Sequence, residues 1–314
     1  MSTHRIPFVA SALALAAGAV WSLGAVTARL ADGADAFQYL IWRSVGIIVV
    51  VELLGWYRRK PPQTVRAWTS GRPMMLANVM LLLASIGFVY AVKTTTAANA
   101  AFLASITPIF GVLFARVVLR ERLTRITIIA GGVAFVGLFV MVAGDLSAGN
   151  MVGNLSALAS AFGFAGYTVV VRSNPSEDWA PVLPGYGLLM IVICSAVTRA
   201  QGKTLLPPAP DIALALLHGG VFIVVGTFAF NIASRQVPAA AMTVFAQSEM
   251  VLIPIWSVLF LDDVPKTTTL LGGALVFVAI VGKAVADAKT TPHPHELRHP
   301  DGGEPHPRAE VRGG

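Results

Sequence analysis

A carboxylate lies at the centre of an apolar stretch in the second half of the sequence. The stretch is residues 239–263, AAAMTVFAQSEMVLIPIWSVLFLDD, with Gln247, Ser248 and Glu249 at its middle. About 20 apolar residues cross the hydrocarbon core of a bilayer, and an acid halfway along is costly unless it faces a cavity or a partner. Glu249 is therefore a candidate for contact with a substrate amine or for proton coupling. The alternative is an acid that only joins two helices.

Two basic or titratable side chains lie in other apolar stretches. Arg43, in YLIWRSVGII, would match a carboxylate bidentately if it faces a substrate; otherwise it snorkels to the surface or pairs with an acid. His218 would either relay protons or form a structural hydrogen bond.

Aromatic and amide side chains complete the candidate site. The aromatic candidates for stacking on an apolar substrate, chosen for their depth, are Trp21 and Tyr167. Aromatics nearer the segment ends suit interfacial belts instead. The amides that would satisfy a zwitterion, or else bond a neighbouring helix, are Asn78, Asn99 and Asn231.

The stretch with Glu249 has a relative earlier in the chain. Residues 97–121, AANAAFLASITPIFGVLFARVVLRE, align with residues 239–263 without a gap. Thr107 then matches Glu249, and Pro108 matches Met250. Pro108 and Pro254 are predicted to kink their helices and free backbone carbonyls towards a cavity.

Composition defines the elements that must position these residues. Of 314 residues 55% are hydrophobic and 12% charged, which indicates a polytopic membrane protein. The net charge of +7 is spread between apolar runs, so membrane topology explains it better than nucleic acid. The single cysteine, Cys194, excludes a disulfide framework. No nucleotide-binding or hydrolase motif is present, so we expect neither an enzyme nor a cofactor.

The sequence divides into ten apolar segments with short connections. They are residues 7–28, 36–56, 73–92, 96–118, 125–143, 151–171, 180–198, 212–233, 239–260 and 269–286. Lys and Arg concentrate in the connections on the side of both termini, which predicts cytoplasmic termini. Residues 287–314 are predicted to be a disordered tail, and its histidines are not expected to form a specific metal site.

The duplication extends over both halves of the chain. Residues 7–143 and 151–286 each contain five segments, and an odd number makes the second copy enter the membrane from the opposite side. The predicted fold is an all-α integral membrane protein with ten transmembrane helices in two inverted five-helix repeats around a central cavity. Such repeats are typical of secondary transporters.

These features resemble the EamA-type domain of the drug/metabolite transporter superfamily. The resemblance rests on the duplicated units, the Ala-rich start of segment four, the Thr107-Pro108 step and RERLT at residues 120–124. It implies a ten-helix secondary carrier of the bacterial inner membrane, similar to exporters of amino acids, including aromatic ones. The second copy departs from the pattern, with Met250 in place of the proline and the pair Asp262 and Asp263 as its closing acid.

The resulting prediction is a secondary transporter that exports small metabolites, most of all neutral and aromatic amino acids with broad specificity, by alternating access. Its partners are the substrate and the bilayer. The alternatives are export of other small organic metabolites or drugs, an intramembrane enzyme that uses Glu249 with His218, and a passive channel. The sequence leaves the coupling ion and the oligomeric state open.

Overall fold

The computed structural model describes residues 8–94, 103–104, 106–121, 124–142, 151–261 and 267–289, and the secondary structure of these residues is helical, with no strand. The first half contains α1 (Phe8–Leu30), α2 (Ala36–Tyr57), α3 (Gln63–Thr69), α4 (Arg72–Thr94), α5 (Thr107–Val117) and α6 (Arg125–Val142). The second contains α7 (Met151–Ser173), α8 (Val182–Ala200), α9 (Ala209–Leu217), a π-helical segment (His218–Ile223), α10 (Val224–Ala233), α11 (Ala239–Phe245), α12 (Ser248–Leu261) and α13 (Thr267–Lys289). The all-helical prediction is confirmed for these residues.

Seven helical stretches in the described chain are long and apolar enough to cross a membrane. They are Phe8–Leu30, Ala36–Tyr57, Arg72–Ala91, Met151–Ser173, Val182–Ala200, Ala209–Ala233 and Ala239–Phe260. Predicted segments four, five and ten correspond to shorter apolar helices, Thr107–Val117, Arg125–Val140 and Leu270–Ala286. The chain is therefore a multi-pass membrane protein, and the total of ten spans stays a prediction.

The structure differs from the predicted segments in two connecting regions. Residues 63–69 form the short helix α3, because the Glu52 carboxylate accepts hydrogen bonds from the N–H groups of Gln63 (3.0 Å) and Thr64 (2.5 Å) at its start. At the C-terminal end, α13 continues to Lys289, three residues into the predicted tail. Residues 290–314 lie outside the described residues.

Helix packing follows a two-fold pattern between the halves. The strongest contacts are α4 with α7, α6 with α13 and α2 with α8. In the order of the predicted segments, these last two pairs each join a helix to its own counterpart, and α5 of segment four contacts α11 of segment nine. The contact of α4 with α7 has its equivalent in that of α1 with α10. Two related halves packed face to face produce this pattern.

Ion pairs join the halves at both ends of the bundle. At one end, called here the Asp178 end, Asp178 bonds Lys60 (2.6 Å) and Arg66 (3.0 Å). At the opposite, Asp35 end, Lys203 bonds Asp35 (2.9 Å). The connections that the predicted topology places on one side of the membrane therefore meet in the structure.

A second contact at the Asp178 end involves a carboxylate shared by several elements. Glu121 accepts a hydrogen bond from Arg172 Nε (3.1 Å) with one oxygen and from the Ala239 N–H (3.2 Å) with the other. Arg172 Nη1 also donates to the Arg235 carbonyl (2.7 Å). This Glu121 cluster connects the end of α5 with the ends of α7 and α10 and the start of α11.

We expect Asp178→Asn to lower the thermal unfolding midpoint at neutral pH by a few degrees. Burial opposes ionisation of Asp178, but hydrogen bonds from Lys60, Arg66 and the Ala180 N–H outweigh it and lower its pKa from 3.8 to about 2. A carboxyl group whose pKa is lower in the folded than in the unfolded protein stabilises the fold at pH values above its unfolded-state pKa. That stabilisation is lost as the pH falls through its folded-state pKa. Unfolding of the detergent-solubilised protein should therefore show the difference in full at pH 7 and roughly halved at pH 3.

The matched control is Asp32→Asn, which removes an exposed carboxylate that forms no ion pair with a described residue. It should leave the midpoint unchanged at both pH values. An Asp178→Asn effect of equal size at pH 7 and pH 3 would contradict the ionic origin of the contact.

Candidate functional site

The helix that contains Glu249 is interrupted directly before it. α11 ends at Phe245 and α12 begins at Ser248. Across the interruption, the N–H groups of Gln247 and Glu249 bond the carbonyls of Val244 (3.1 Å) and Ala246 (3.2 Å), three residues back instead of four. Tightened turns of this kind inside a membrane span occur where the backbone faces protein or a cavity.

The first half has a tightened turn close to the matching position. The Ile106 N–H bonds the Leu103 carbonyl (3.3 Å), again three residues back, and α5 begins at Thr107. Thr107 is the residue that aligns with Glu249. Pro108 lies in the first turn of α5, where its missing N–H leaves no hydrogen bond unmade. Each half therefore has a tightened turn close to the start of an equivalent helix, α5 in the first half and α12 in the second.

The predicted kink at Pro254 is not where the second helix is interrupted. α12 continues without a break from Ser248 to Leu261 through residue 254. The interruption lies at Ala246 and Gln247, next to polar side chains. In the second half, then, proline is not what marks the interruption.

The interruption packs on one face of α1. Ser248 Oγ donates to the Leu15 carbonyl (3.1 Å), and Trp256 Nε1 donates to Ser22 Oγ (2.7 Å). Between them lies Gly18, where an added Cβ would overlap Ser248 Oγ and lie 3.1 Å from the Glu249 nitrogen. The absence of a side chain at Gly18 thus permits the close approach of α1.

The three polar residues differ in their surroundings. Gln247 and Ser248 are buried, at 5% and 9% exposure, and Glu249 is half-buried. No described cation lies within ion-pair distance of Glu249. A carboxylate inside the bundle with its charge unmatched is open to a proton or to a cationic ligand.

Trp21, one turn along α1 from Gly18, belongs to an aromatic cluster. Its ring lies 5.8 Å from that of Phe164 and 5.4 Å from that of Phe230, and Phe230 stacks on Tyr167 at 6.0 Å. The Tyr167 hydroxyl donates to Asn231 Oδ1 (2.6 Å), which leaves the Asn231 amide nitrogen buried without a partner. Trp21, Tyr167 and Asn231 are thus brought together beside the interruption.

The remaining predicted residues lie elsewhere. Asn78 is fully buried and donates to the Ala67 carbonyl (3.0 Å), so it joins α4 to α3 at the Asp178 end. Arg43 is buried on α2, away from the interruption, and donates to Ser85 Oγ on α4. Asn99 lies outside the described residues.

His218 is part of a different polar network. Its Nδ1 lies 2.9 Å from the Tyr39 hydroxyl, which donates to Thr27 Oγ1 (3.2 Å), and its ring packs against Gly24. Gly24 is six residues beyond Gly18 on α1, a rise of about 9 Å. His218 and Glu249 therefore contact different levels of the bundle, which disfavours their joint use in an enzyme mechanism.

Lys283 is a polar residue that the sequence did not single out. It lies in the predicted segment 269–286, and in α13 it is only 2% exposed. Its Nζ lies 5.7 Å from the centroid of the Phe245 ring, the last residue of α11. The sequence did contain a signal for a buried Lys283: a long apolar run leads to this lysine without a helix stop.

Paired interrupted helices, related halves and apolar spans define a membrane transporter. The sequence profile of the EamA-like transporter family matches twice, at residues 9–143 and 151–283. The chain belongs to the EamA-like transporter family.

Known proteins with similar sequences are transporters as well. The pseudopaline exporter CntI of Pseudomonas aeruginosa is 27% identical over 67% of this chain and 74% of its own length. Human solute carrier family 35 member G1 is 25% identical over 85% of this chain and 76% of its own length. A crystal structure whose description names no function superposes with a TM-score of 0.75 at 18% identity, covering 90% of this chain and 98% of its own. That last likeness concerns the fold alone.

Proposed function

We propose that the protein exports small metabolites, with neutral and aromatic amino acids as its substrate class, across the bacterial inner membrane. The proposal depends above all on one observation: each half has a tightened turn at the start of an equivalent helix, and both helix starts lie within one residue of the aligned pair Thr107 and Glu249. Interrupted helices that meet near the middle of the bilayer are the usual place for substrate and coupling-ion sites in carriers with inverted repeats. The proposed direction of transport, export, is supported by the exporter CntI among the relatives.

The proposed architecture has ten transmembrane helices in two inverted repeats, residues 7–143 and 151–286, with both termini cytoplasmic. The two-fold packing pattern supports the inverted relation. The Asp178 end, which collects the basic connections, is then the cytoplasmic end. Alternating access would open the halves at the Asp178 end and at the Asp35 end in turn.

The proposed substrate site lies where the interruption meets the aromatic cluster. Gln247, Ser248 and Glu249 supply polar groups on one side. Trp21 and Tyr167 supply apolar walls on the other, and the unpartnered Asn231 amide nitrogen is a further donor. Glu249 would bind the amino group of a substrate or exchange its own proton for it. Apolar walls discriminate between side chains by only about 1–3 kcal/mol, so several amino acids would be accepted.

A transport assay tests the substrate class. Purified protein in proteoliposomes is loaded with radiolabelled phenylalanine, tyrosine, leucine, threonine or lysine, and efflux is compared with protein-free liposomes. We expect efflux of the neutral and aromatic amino acids, with less for lysine, because a second positive charge would enter an apolar space. No efflux of any neutral or aromatic amino acid would overturn the proposal.

Export of another kind of organic metabolite is the second candidate. The relative CntI is named for pseudopaline, not for a single amino acid. If the amino-acid panel fails, competition for binding among larger amino-carboxylate compounds, measured on the same proteoliposomes, would distinguish this candidate. A water path open at both ends would instead indicate a channel, and the ion pairs at both ends of this structure disfavour it.

A further inference from the structure

Arg43 is a buried cation whose charge no described acid matches. Only 5% of its surface is exposed, so it faces the protein interior and does not snorkel through lipid. Nη2 donates to the Ser85 hydroxyl, whereas Nε is buried without any hydrogen-bond partner. Asp211, a buried acid on α9, forms no ion pair with it.

An unmatched guanidinium inside a membrane bundle is energetically unfavourable. Proteins normally offset such a charge with an acid, with backbone carbonyls or with a ligand. Arg43 has one neutral hydroxyl instead. Because the guanidinium fork matches a carboxylate with two parallel hydrogen bonds, an anionic group is the ligand that fits its free nitrogen.

The side chains nearest Arg43 are mostly polar and uncharged, although the buried Asp211 also acts electrostatically on Tyr39. It is close enough for electrostatic interaction with Tyr39 on the previous turn of α2, with Tyr186 on α8 and with His218. Gly219, next to His218, packs directly on the Arg43 backbone carbonyl, and this contact lies in the π-helical segment. π-helical turns inside helices occur frequently at functional sites.

This position is separate from the interruption at Glu249. His218 contacts α1 at Gly24, and Ser248 contacts it at Gly18, about 9 Å away along the helix. The two positions therefore meet α1 at different levels of the bundle.

We propose that Arg43 forms an anion-binding position for organic carboxylates between α2, α4 and the π-helical segment, nearer the Asp35 end than the Glu249 site. The proposal deepens the proposed export function, because the carboxylate of a substrate would pass from the Glu249 site to Arg43 on its way out. Ser85 orients the guanidinium. Tyr39 and His218 keep the position polar without neutralising the charge of Arg43.

Ligand-dependent thermal stability tests this position without any transport. The purified full-length protein is titrated with phenylacetate and, in parallel, with phenylacetamide, which has a similar shape and no charge. We expect the parent to bind phenylacetate ~10- to 100-fold more tightly, as a hydrogen-bonded charge pair would give. Arg43→Gln should abolish the preference, and Arg43→Lys should keep part of it. Ser85→Ala keeps the charge and should retain most of the preference.

Two outcomes would overturn the proposal: a parent that does not distinguish the two probes, or Arg43→Gln that still does. The unliganded midpoint provides a second measurement. Removal of an unmatched charge should leave the Arg43→Gln midpoint equal to or above that of the parent, whereas a purely structural arginine would lower it. If the carboxylate preference is present but no amino acid is transported, the substrate class is wrong and the anion position stands.

Discussion

Glu249→Gln is expected to abolish the response of transport to a pH gradient. Glu249 is half-buried at the start of α12, and no described cation lies within ion-pair distance. A carboxylate there can bind and release a proton as the halves alternate, whereas an amide of the same shape cannot. Efflux from proteoliposomes is measured at two external pH values. At both values, the variant should show only the rate that the parent shows without a pH gradient.

Glu249→Asp is the matched control, because it keeps a titratable carboxylate on a shorter side chain. It should retain a pH response with a slower rate. Proton coupling through Glu249 is wrong if the parent shows no pH dependence and Glu249→Gln transports at the parental rate. Loss of fold as the cause is excluded by comparing the unfolding midpoints of the three proteins.

Gly18→Val is expected to abolish transport and to destabilise the protein by about 1–3 kcal/mol, the usual range for overpacking. A Cβ at this position would overlap Ser248 Oγ and approach the Ala246 carbonyl oxygen to 3.2 Å. Because two of the obstructing atoms are backbone, α1 must move away from the interruption. Both efflux and the thermal midpoint should fall, and Gly18→Ala should give an intermediate effect.

Two glycines with open space around them provide control positions for Gly18→Val. A Cβ at Gly132 or at Gly273 would have nothing within 4 Å. Gly132→Ala and Gly273→Ala should therefore leave efflux and stability at or slightly above the parental values, since alanine favours the helix. Normal efflux by Gly18→Val would show that the contact of α1 with the interruption has no role in transport.

The sequence predicted the helices because their determinants are local. Apolar runs of membrane-spanning length located the seven long spans, and the gapless alignment of residues 97–121 with residues 239–263 revealed the duplication. The same alignment paired Thr107 with Glu249, and α5 begins at Thr107 while α12 begins one residue before Glu249. It could not show that Gly132 and Gly273 face open space, because the sequence does not specify which side of a uniformly apolar helix meets another helix.

The candidate site was predictable only in part, because hydrogen-bond partners depend on contacts distant in sequence. Trp21, Tyr167 and Asn231 do lie together, since α1, α7 and α10 meet. Asn78 instead bonds the backbone of α3, a helix that the sequence did not predict. Lys283 lies in the predicted segment 269–286, but nothing in the local sequence shows that it meets the Phe245 ring of α11.

The Glu121 cluster has a consequence for the speed of transport. One carboxylate bonds Arg172 and the Ala239 N–H at the same time, and Arg172 bonds the Arg235 carbonyl. Both bonds of Glu121 cross between the halves, whereas the Arg172–Arg235 bond lies within the second half. Separation of the halves at this end therefore breaks the two Glu121 bonds together, in a single cooperative step. Opening is then a discrete transition with one barrier, and the frequency of that transition sets an upper limit on the turnover number.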